Sequence, residues 1–198
     1  MEESLIENIF TSGEAALKSL QKNIYGKNFF HLGPARDNSL FAGFEKNKRE
    51  LDIADFILCT GFLEGNDDSL SFYESLLKDY THLKMVCTNP DLVVHRGEKK
   101  EYCAGTIAKI FDGLGGHVIY FGKPYPDIYN FCIQKNERVL AIGDNIRTDI
   151  KGANNLNIDC IFISEGVHRK EFNNFSELNK LLEKYNVKAN FFQKELTW

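Results

Sequence analysis

Two short stretches in the second half of the chain carry side chains whose types and spacing are suited to chemistry. In GKP, Lys123 comes directly after the apolar run 117–121, and in GDNIRTD, Asp144 and Asp149 follow the apolar run 138–143. A lysine ammonium neutralises phosphate oxygens as a point charge. Mg²⁺ commonly binds one or two carboxylates together with phosphate and water oxygens. These residues together indicate phosphoryl chemistry, with Lys123 at the phosphate and Asp144 at a metal ion.

Each of these residues also has a simpler interpretation. A Gly-Asp pair between a strand and a helix often only caps the helix, and a single lysine is usually a solvated surface residue. Two roles stay open for Asp149, since its carboxylate can bind a metal-bound water or orient Lys123. An EF-hand calcium loop is excluded, because Ile146 stands at a ligand position and the required Gly and late Glu are absent. The two stretches together are more specific than either one alone.

Apolar runs in the second half predict the strands that position these side chains. The runs 117–121, 138–143 and 158–164 are short and apolar, as buried strands are. Helical patterns lie between them and after them, and the alternation predicts a parallel α/β sheet covered by helices on both faces. Ligands of such sheets bind beyond the carboxyl ends of the strands. If the first two strands are neighbours, Lys123 and Asp144 meet in one crevice.

The first half of the chain is patterned as a second α/β lobe. Its strand candidates are 27–33, 54–62 and 83–91. A helical pattern lies between the last two, and a polar segment around Arg96-Gly97 indicates a hairpin. A further strand is predicted at 6–10, followed by a helix. Because no low-complexity linker separates the two halves, we interpret the lobe, residues 20–103, as an insertion that packs on the rest.

Several of these stretches resemble the haloacid dehalogenase-like (HAD) hydrolases, and most closely the class IIA, NagD-like branch. GKPYPDIY and GDNIRTDIKGAN are similar to the third and fourth motifs of that family. IFTSGEAALKSL is similar to the segment that leads from the core into the cap. CTNPD and EYCAGTIAKI are similar to the region where the chain returns to the core. The resemblance covers nearly the whole chain.

The resemblance implies an architecture and a domain division. It implies a HAD-like, Rossmann-type parallel sheet core that is incomplete, with its central strands missing, and an inserted α/β class II cap. Residues 1–19 would be a remaining core strand and helix, 20–103 the cap domain, and 104–198 the C-terminal half of the core.

Specific roles are implied for residues that match the family's motifs. Lys123 would be the third-motif lysine that neutralises the phosphate or the aspartyl-phosphate. Asp144 would be a Mg²⁺ ligand supported by Asn145, and Asp149 would be the second acid of the fourth motif. Two cap residues are substrate-site candidates by the same resemblance. They are Asn89 and Asp91.

The family's nucleophile has no counterpart in the sequence. In the family, the first Asp of a D-x-D motif attacks the phosphoryl group and the second acts as acid and base; a Ser/Thr motif binds the phosphoryl group. No D-x-D occurs in the 198 residues, and the acids of LDIAD are spaced by three. The resemblance therefore implies an N-terminally truncated chain that lacks motifs I and II and is inactive alone. It also implies an unpaired sheet edge at VLAIG.

Three hypotheses for the function follow. The first is the C-terminal portion of a NagD-like, Mg²⁺-dependent phosphatase of small phosphorylated metabolites, which a separately encoded N-terminal fragment would complete. The second is a non-catalytic binding or interaction protein that keeps the cap lobe. The third, a nucleotide-binding α/β module, is disfavoured because neither G-x-G-x-x-G nor G-x-x-x-x-G-K-[ST] occurs.

Composition excludes two classes of partner and predicts a compartment. The net charge of −4 disfavours a nucleic-acid surface, and no apolar run approaches the roughly 20 residues of a membrane span. The five cysteines are scattered without a C-x-x-C pair, as buried small side chains in a reducing compartment would be. A cytoplasmic protein without nucleic-acid or membrane partners is expected.

Overall fold

The computed structural model of the chain describes residues 9–66, 69–96, 99–134 and 136–197. The chain divides into two compact units, Met1–Gly122 and Lys123–Trp198. We describe each unit separately. Within the described residues, no helix is both long enough and apolar enough to cross a membrane.

The first unit is an α/β unit built on a four-stranded parallel sheet in the order β1-β2-β3-β6, with a separate antiparallel hairpin of β4 and β5. Its strands are β1 (Phe29–Leu32), β2 (Phe56–Cys59), β3 (Lys84–Cys87), β4 (Val93–Arg96), β5 (Lys99–Tyr102) and β6 (His117–Tyr120). Its helices are α1 (Ser12–Gln21), α2 (Leu70–Leu77) and α3 (Ala104–Gly113). Short 3₁₀ turns lie at Ala35–Phe41, Glu45–Asn47, Leu51–Ile53 and Lys78–Tyr80. The predicted α/β class with a parallel sheet is confirmed.

Apolar strands and one face of α3 form the core of the first unit. All four residues of β2 are buried, because the strand lies between β1 and β3. Helix α3 places Ile107 and Phe111 in the same core, both fully buried. Burying a side chain of this size stabilises a fold by about 1.5–3 kcal/mol. Helix α3 and strand β6 therefore belong to the first unit.

This packing differs from two expectations drawn from the sequence. Strand β6 pairs with β3 in register Lys84↔His117 to Cys87↔Tyr120, and the run 138–143 belongs to another sheet. The condition that 117–121 and 138–143 are neighbouring strands is therefore not met among the described residues. The division of the chain falls after Gly122, whereas the predicted domain boundary lies after residue 103. Both differences have one cause, because the apolar face of α3 is buried in the core of the first unit and β6 completes the sheet of that unit.

The second unit is built on a three-stranded parallel sheet in the order β7-β8-β9. Its strands are β7 (Leu140–Gly143), β8 (Asp159–Ile163) and β9 (Phe191–Gln193). Its helices are α4 (Pro126–Cys132), α5 (Lys151–Asn155) and α6 (Phe175–Lys184). The apolar face of α6 is buried against the core residues Ile146, Ile150 and Phe162. Strand β9 was not predicted.

Strand β7 forms one edge of the sheet in the second unit. Among the described strands it pairs with β8 alone. Its side chains Leu140 and Ile142 are 47% and 44% exposed, although both are apolar. The predicted open edge at VLAIG is therefore present in the described part of the chain. The strand predicted at 6–10 lies largely outside the described residues; Ile9 and Phe10, its last two, are not in a strand.

Candidate functional site

A tight turn after β7 carries three of the predicted site residues. The Asn145 side chain accepts a hydrogen bond from the Arg147 N–H at 3.0 Å and begins a five-residue π-helical turn, Ile146–Ile150. The Asp149 N–H donates to the carbonyl of Asn145 at 2.9 Å. Such turns are frequent at functional sites. The turn brings Asp149 back to the end of the strand that it follows.

The Asp149 carboxylate is buried, with 8% of the residue exposed, and both of its oxygens are engaged. Oδ2 accepts hydrogen bonds from the N–H groups of Asp144 at 3.1 Å and Asn145 at 3.0 Å. Oδ1 accepts from Lys123 Nζ at 2.5 Å. Asp149 thus joins the loop after β7 to the lysine, which supports the role of orienting Lys123 over the role of binding a metal-bound water.

Gly143 gives Asp149 the space for this arrangement. A Cβ atom at residue 143 would lie 2.3 Å from both Cβ and Cγ of Asp149. No real Cβ atom approaches another atom so closely, so any larger residue would displace the carboxylate. Sequence reasoning treated Gly143 only as part of a turn. The only signal in the sequence is the position of this glycine, which ends the strand six residues before Asp149.

The Lys123–Asp149 ion pair has one buried and one accessible member. The side chain of Asp149 is 10% exposed, whereas that of Lys123 is 53% exposed. The carboxylate fixes the direction of the ammonium, and solvent still reaches the lysine side chain. A positive charge held in this way is suited to binding an anion from solution.

Asp144 offers one oxygen to a metal ion. Its Oδ2 accepts a hydrogen bond from the Val167 N–H at 2.9 Å, and none of the hydrogen bonds among the described residues involves Oδ1. Mg²⁺ takes hard oxygen ligands, and the carboxylate of Asp144 fits that requirement. However, no group of three or more His, Cys, Asp or Glu side chains suited to a metal occurs in the described parts of the chain. The described residues thus supply one candidate metal ligand, Asp144, and not a complete site.

A tyrosine of α4 packs against the helix that follows the turn. A Cβ atom at Gly152 would lie 1.9 Å from the Tyr129 hydroxyl oxygen, so the ring rests directly on the backbone of α5. Burial, and secondly the negative charge of Asp149, raises the pKa of Tyr129 to about 12. The hydroxyl therefore stays protonated at neutral pH. The sequence did not single out Tyr129.

The predicted cap residues Asn89 and Asp91 line a cavity of the first unit of about 590 Å³. The Asn89 side chain accepts a hydrogen bond from the Asp91 N–H at 3.0 Å and stabilises the turn after β3. The cavity lies at the carboxyl ends of β1, β2 and β3, and the hairpin contributes to its wall. Its lining also includes Arg36, Asp37, Thr60, Phe62, Lys99, Glu101 and Tyr102. Four site candidates, Lys123, Asp144, Asn145 and Asp149, are thus gathered in the second unit, and two are in the first.

Comparison with known proteins gives a consistent result. Residues 120–189 match the HAD-hydrolase-like family. A HAD-like hydrolase from Brucella suis 1330 has a similar structure, with a TM-score of 0.79 and 26% identity over 95% of this chain and 72% of that protein. The chain has the fold of the HAD-like hydrolases, and its residues 120–189 match that family in sequence.

Two other superfamily structures have the same fold. A 4-nitrophenylphosphatase from Thermotoga maritima matches with a TM-score of 0.67 and 24% identity over 93% of this chain and 69% of that protein. A p-nitrophenyl phosphatase from Archaeoglobus fulgidus matches with a TM-score of 0.69 and 15% identity over 93% of this chain and 70% of that protein. None of the curated proteins compared with the sequence matches it. The predicted resemblance to HAD-like hydrolases is confirmed. Because the two phosphatases are less than 25% identical to this chain, they show that it shares their fold and nothing about its substrate.

Proposed function

We propose that this HAD-like chain supplies the phosphate-binding part of a NagD-like phosphatase site that acts on small phosphorylated metabolites in the cytoplasm. The observation that carries the proposal is the ion pair between Lys123 and Asp149, in which Lys123 Nζ lies 2.5 Å from Asp149 Oδ1. Asp149 lies in the loop after β7. The names of the solved structures from Thermotoga maritima and Archaeoglobus fulgidus support phosphomonoester substrates.

In this proposal Lys123 binds the phosphoryl oxygens and Asp149 positions it. Negative charge on those oxygens must be balanced throughout phosphoryl transfer, and a fixed ammonium does so without reorganising during the reaction. The N–H groups of Asp144 and Asn145 hold the Asp149 carboxylate in one position, so it stays in the loop when the lysine side chain moves. Lys123 therefore meets the anion from a fixed position.

A magnesium ion is the cofactor we assign to this site. Asp144 would hold it through the carboxylate oxygen that accepts no hydrogen bond among the described residues. When bound, the ion would polarise the phosphoryl group as a Lewis acid. Asn145 would act through the loop, because its side chain begins the turn that positions Asp149.

We further propose that the 198-residue polypeptide does not turn over substrate by itself. Its sequence contains no D-x-D motif, and the one buried acid of the site, Asp149, already uses both oxygens. The nucleophile would come from a segment outside these 198 residues. The open edge at β7 supports this proposal, since its exposed Leu140 and Ile142 would be covered if an apolar strand added to the sheet.

Inorganic phosphate tests the anion site directly. Amide chemical shifts of the ¹⁵N-labelled full chain would be followed by NMR during a phosphate titration. We expect shifts at Lys123 and in the loop 143–149, and their loss in Lys123→Met, which keeps the unbranched apolar part of the side chain and removes the ammonium group. Lys170→Met, at an exposed position of the same unit, is the matched control. Equal phosphate shifts in Lys123→Met would refute the assignment.

The cavity in the first unit favours a second candidate function, a ligand-binding protein without catalysis. The cavity is lined mainly by polar and charged side chains at the carboxyl ends of parallel strands, where α/β sheets bind ligands. The same titration separates the two functions. Phosphate-induced shifts at Thr60 and Asn89, with none in the loop 143–149, would favour the binding protein.

A further inference from the structure

The segment that follows β8 is tied to the neighbouring strand. The N–H groups of Ser164 and Glu165 donate hydrogen bonds to the carbonyls of Gln193 at 2.9 Å and Lys194 at 3.0 Å. These bonds extend the pairing of β8 with β9 beyond the end of β8. The first half of the segment is therefore fixed by backbone hydrogen bonds rather than by side chains.

The second half of the same segment is anchored by a buried histidine. His168 is 1% exposed, and its Nδ1 lies 2.7 Å from Glu171 Oε1. Its Nε2 is buried and has no hydrogen-bond partner among the described residues. Burying an imidazole with one nitrogen unpaired costs free energy. The bond to Glu171 and the packing of the ring beside Phe162 and Tyr185 offset this cost. Between the two anchors lie Gly166 and Val167.

Those two residues contact the carboxylate of Asp144. The Val167 N–H donates to Asp144 Oδ2 at 2.9 Å. A Cβ atom at Gly166 would lie 2.1 Å from Oδ2 and 2.2 Å from Cβ of the same aspartate. The backbone φ of Gly166 lies outside the left-handed region that favours glycine, so the glycine is required here for space and not for its conformation.

We propose that Gly166 and Val167 are positioning residues for Asp144. The Val167 N–H holds one carboxylate oxygen in a single orientation and leaves Oδ1 to the divalent cation. The absence of a side chain at Gly166 allows the backbone to come this close. The proposal rests on the proposed function, because it assumes that Asp144 is a metal ligand. It adds two residues that act through Asp144 without contacting metal or substrate.

Mn²⁺ alone is the probe, because it broadens the NMR signals of nearby amides and so reports where it binds. We expect Mn²⁺ to broaden the Asn145 amide in the full chain, and Gly166→Ala to raise the Mn²⁺ concentration required by at least tenfold. Gly113→Ala is the control, because a Cβ atom there meets nothing within 4 Å. Asp144→Ala should abolish the broadening.

The variants separate failure of this inference from failure of the proposed function. If Asp144→Ala abolishes the broadening and Gly166→Ala binds Mn²⁺ like the unmodified chain, the positioning role is wrong. If Asp144→Ala retains the broadening, the assignment of Asp144 as a metal ligand is wrong.

A second measurement does not depend on whether Gly166→Ala folds. Loss of the acceptor in Asp144→Ala should speed hydrogen exchange of the Val167 amide at least tenfold, with the Ser164 amide unchanged as the internal reference. Unchanged exchange at Val167 would show that the hydrogen bond does not hold the carboxylate, and would overturn the inference.

Discussion

The substitution Asp149→Asn tests the central ion pair, because it keeps the shape of the side chain and removes its charge. The carboxylate accepts from three donors, Lys123 Nζ and the N–H groups of Asp144 and Asn145. A carboxamide has one accepting oxygen, so its NH₂ group must face at least one of these donors. The least costly arrangement turns the oxygen to the two backbone N–H groups and the NH₂ to Lys123.

The expected loss follows from these contacts. Hydrogen bonds to charged groups contribute about 1.5–3 kcal/mol each, and neutral ones about 1 kcal/mol. The ion pair itself is discounted to about 1 kcal/mol or less, because the lysine side chain is half exposed and can turn to solvent. Loss of the ion pair and weakening of the two backbone bonds together give about 2 kcal/mol. That is roughly a 30-fold change in an opening equilibrium.

Hydrogen exchange measured by NMR reports this loss of free energy at the two backbone hydrogen bonds to Asp149. The amides of Asp144 and Asn145 should exchange about 30-fold faster in Asp149→Asn, by the free-energy relation above. Asp127→Asn, in the first turn of α4 in the same unit, is the control and should leave both amides unchanged. If Asp149→Asn accelerates them no more than the control does, the carboxylate does not hold the loop and the reasoning fails.

Two further predictions concern packing and pH. Gly143→Ala should displace Asp149 and lower the free energy of unfolding by about 1–3 kcal/mol, measured by urea denaturation; a loss no larger than that of Gly113→Ala would contradict the packing argument. Burial, and then the charge of Lys48, lowers the pKa of His31 from 6.5 to about 4. The unfolded chain thus binds the proton first, and stability should fall by about 2 kcal/mol as pH drops from about 6.5 to about 4. His31→Gln should remove most of this slope, and an unchanged slope would contradict it.

Much of the second unit could be predicted from the sequence, because its signals are local. The apolar runs 138–143 and 158–164 became β7 and β8, and Pro126 stands in the first turn of α4 as expected. Lys123 and Asp149 were placed in one site from their positions after apolar runs. Strand β9 was missed because three residues carry too little pattern to separate a strand from a loop.

Two features could not be predicted from local sequence signals. They are the strand beside which each strand lies and the groups that contact the carboxylates of Asp149 and Asp144. Strand β6 has the apolar pattern of a buried strand, but that pattern does not say whether β3 or β7 lies beside it. The contact of Lys123 with Asp149 was one of two open roles, and only the path of the turn decides between them. Val167 contacts Asp144 through its backbone N–H. Every residue type except proline has this group, so the sequence cannot indicate the contact.

Hydrolysis of an aryl phosphate by the purified 198-residue chain, with Mg²⁺, decides whether the chain contains a nucleophile. In the proposed function this chain supplies the lysine, its positioning acid and one metal ligand, and no nucleophile. We therefore expect that its turnover of p-nitrophenyl phosphate does not exceed that of Lys123→Met prepared in parallel. Turnover that clearly exceeds the variant would show that the chain contains a nucleophile, and would contradict the account.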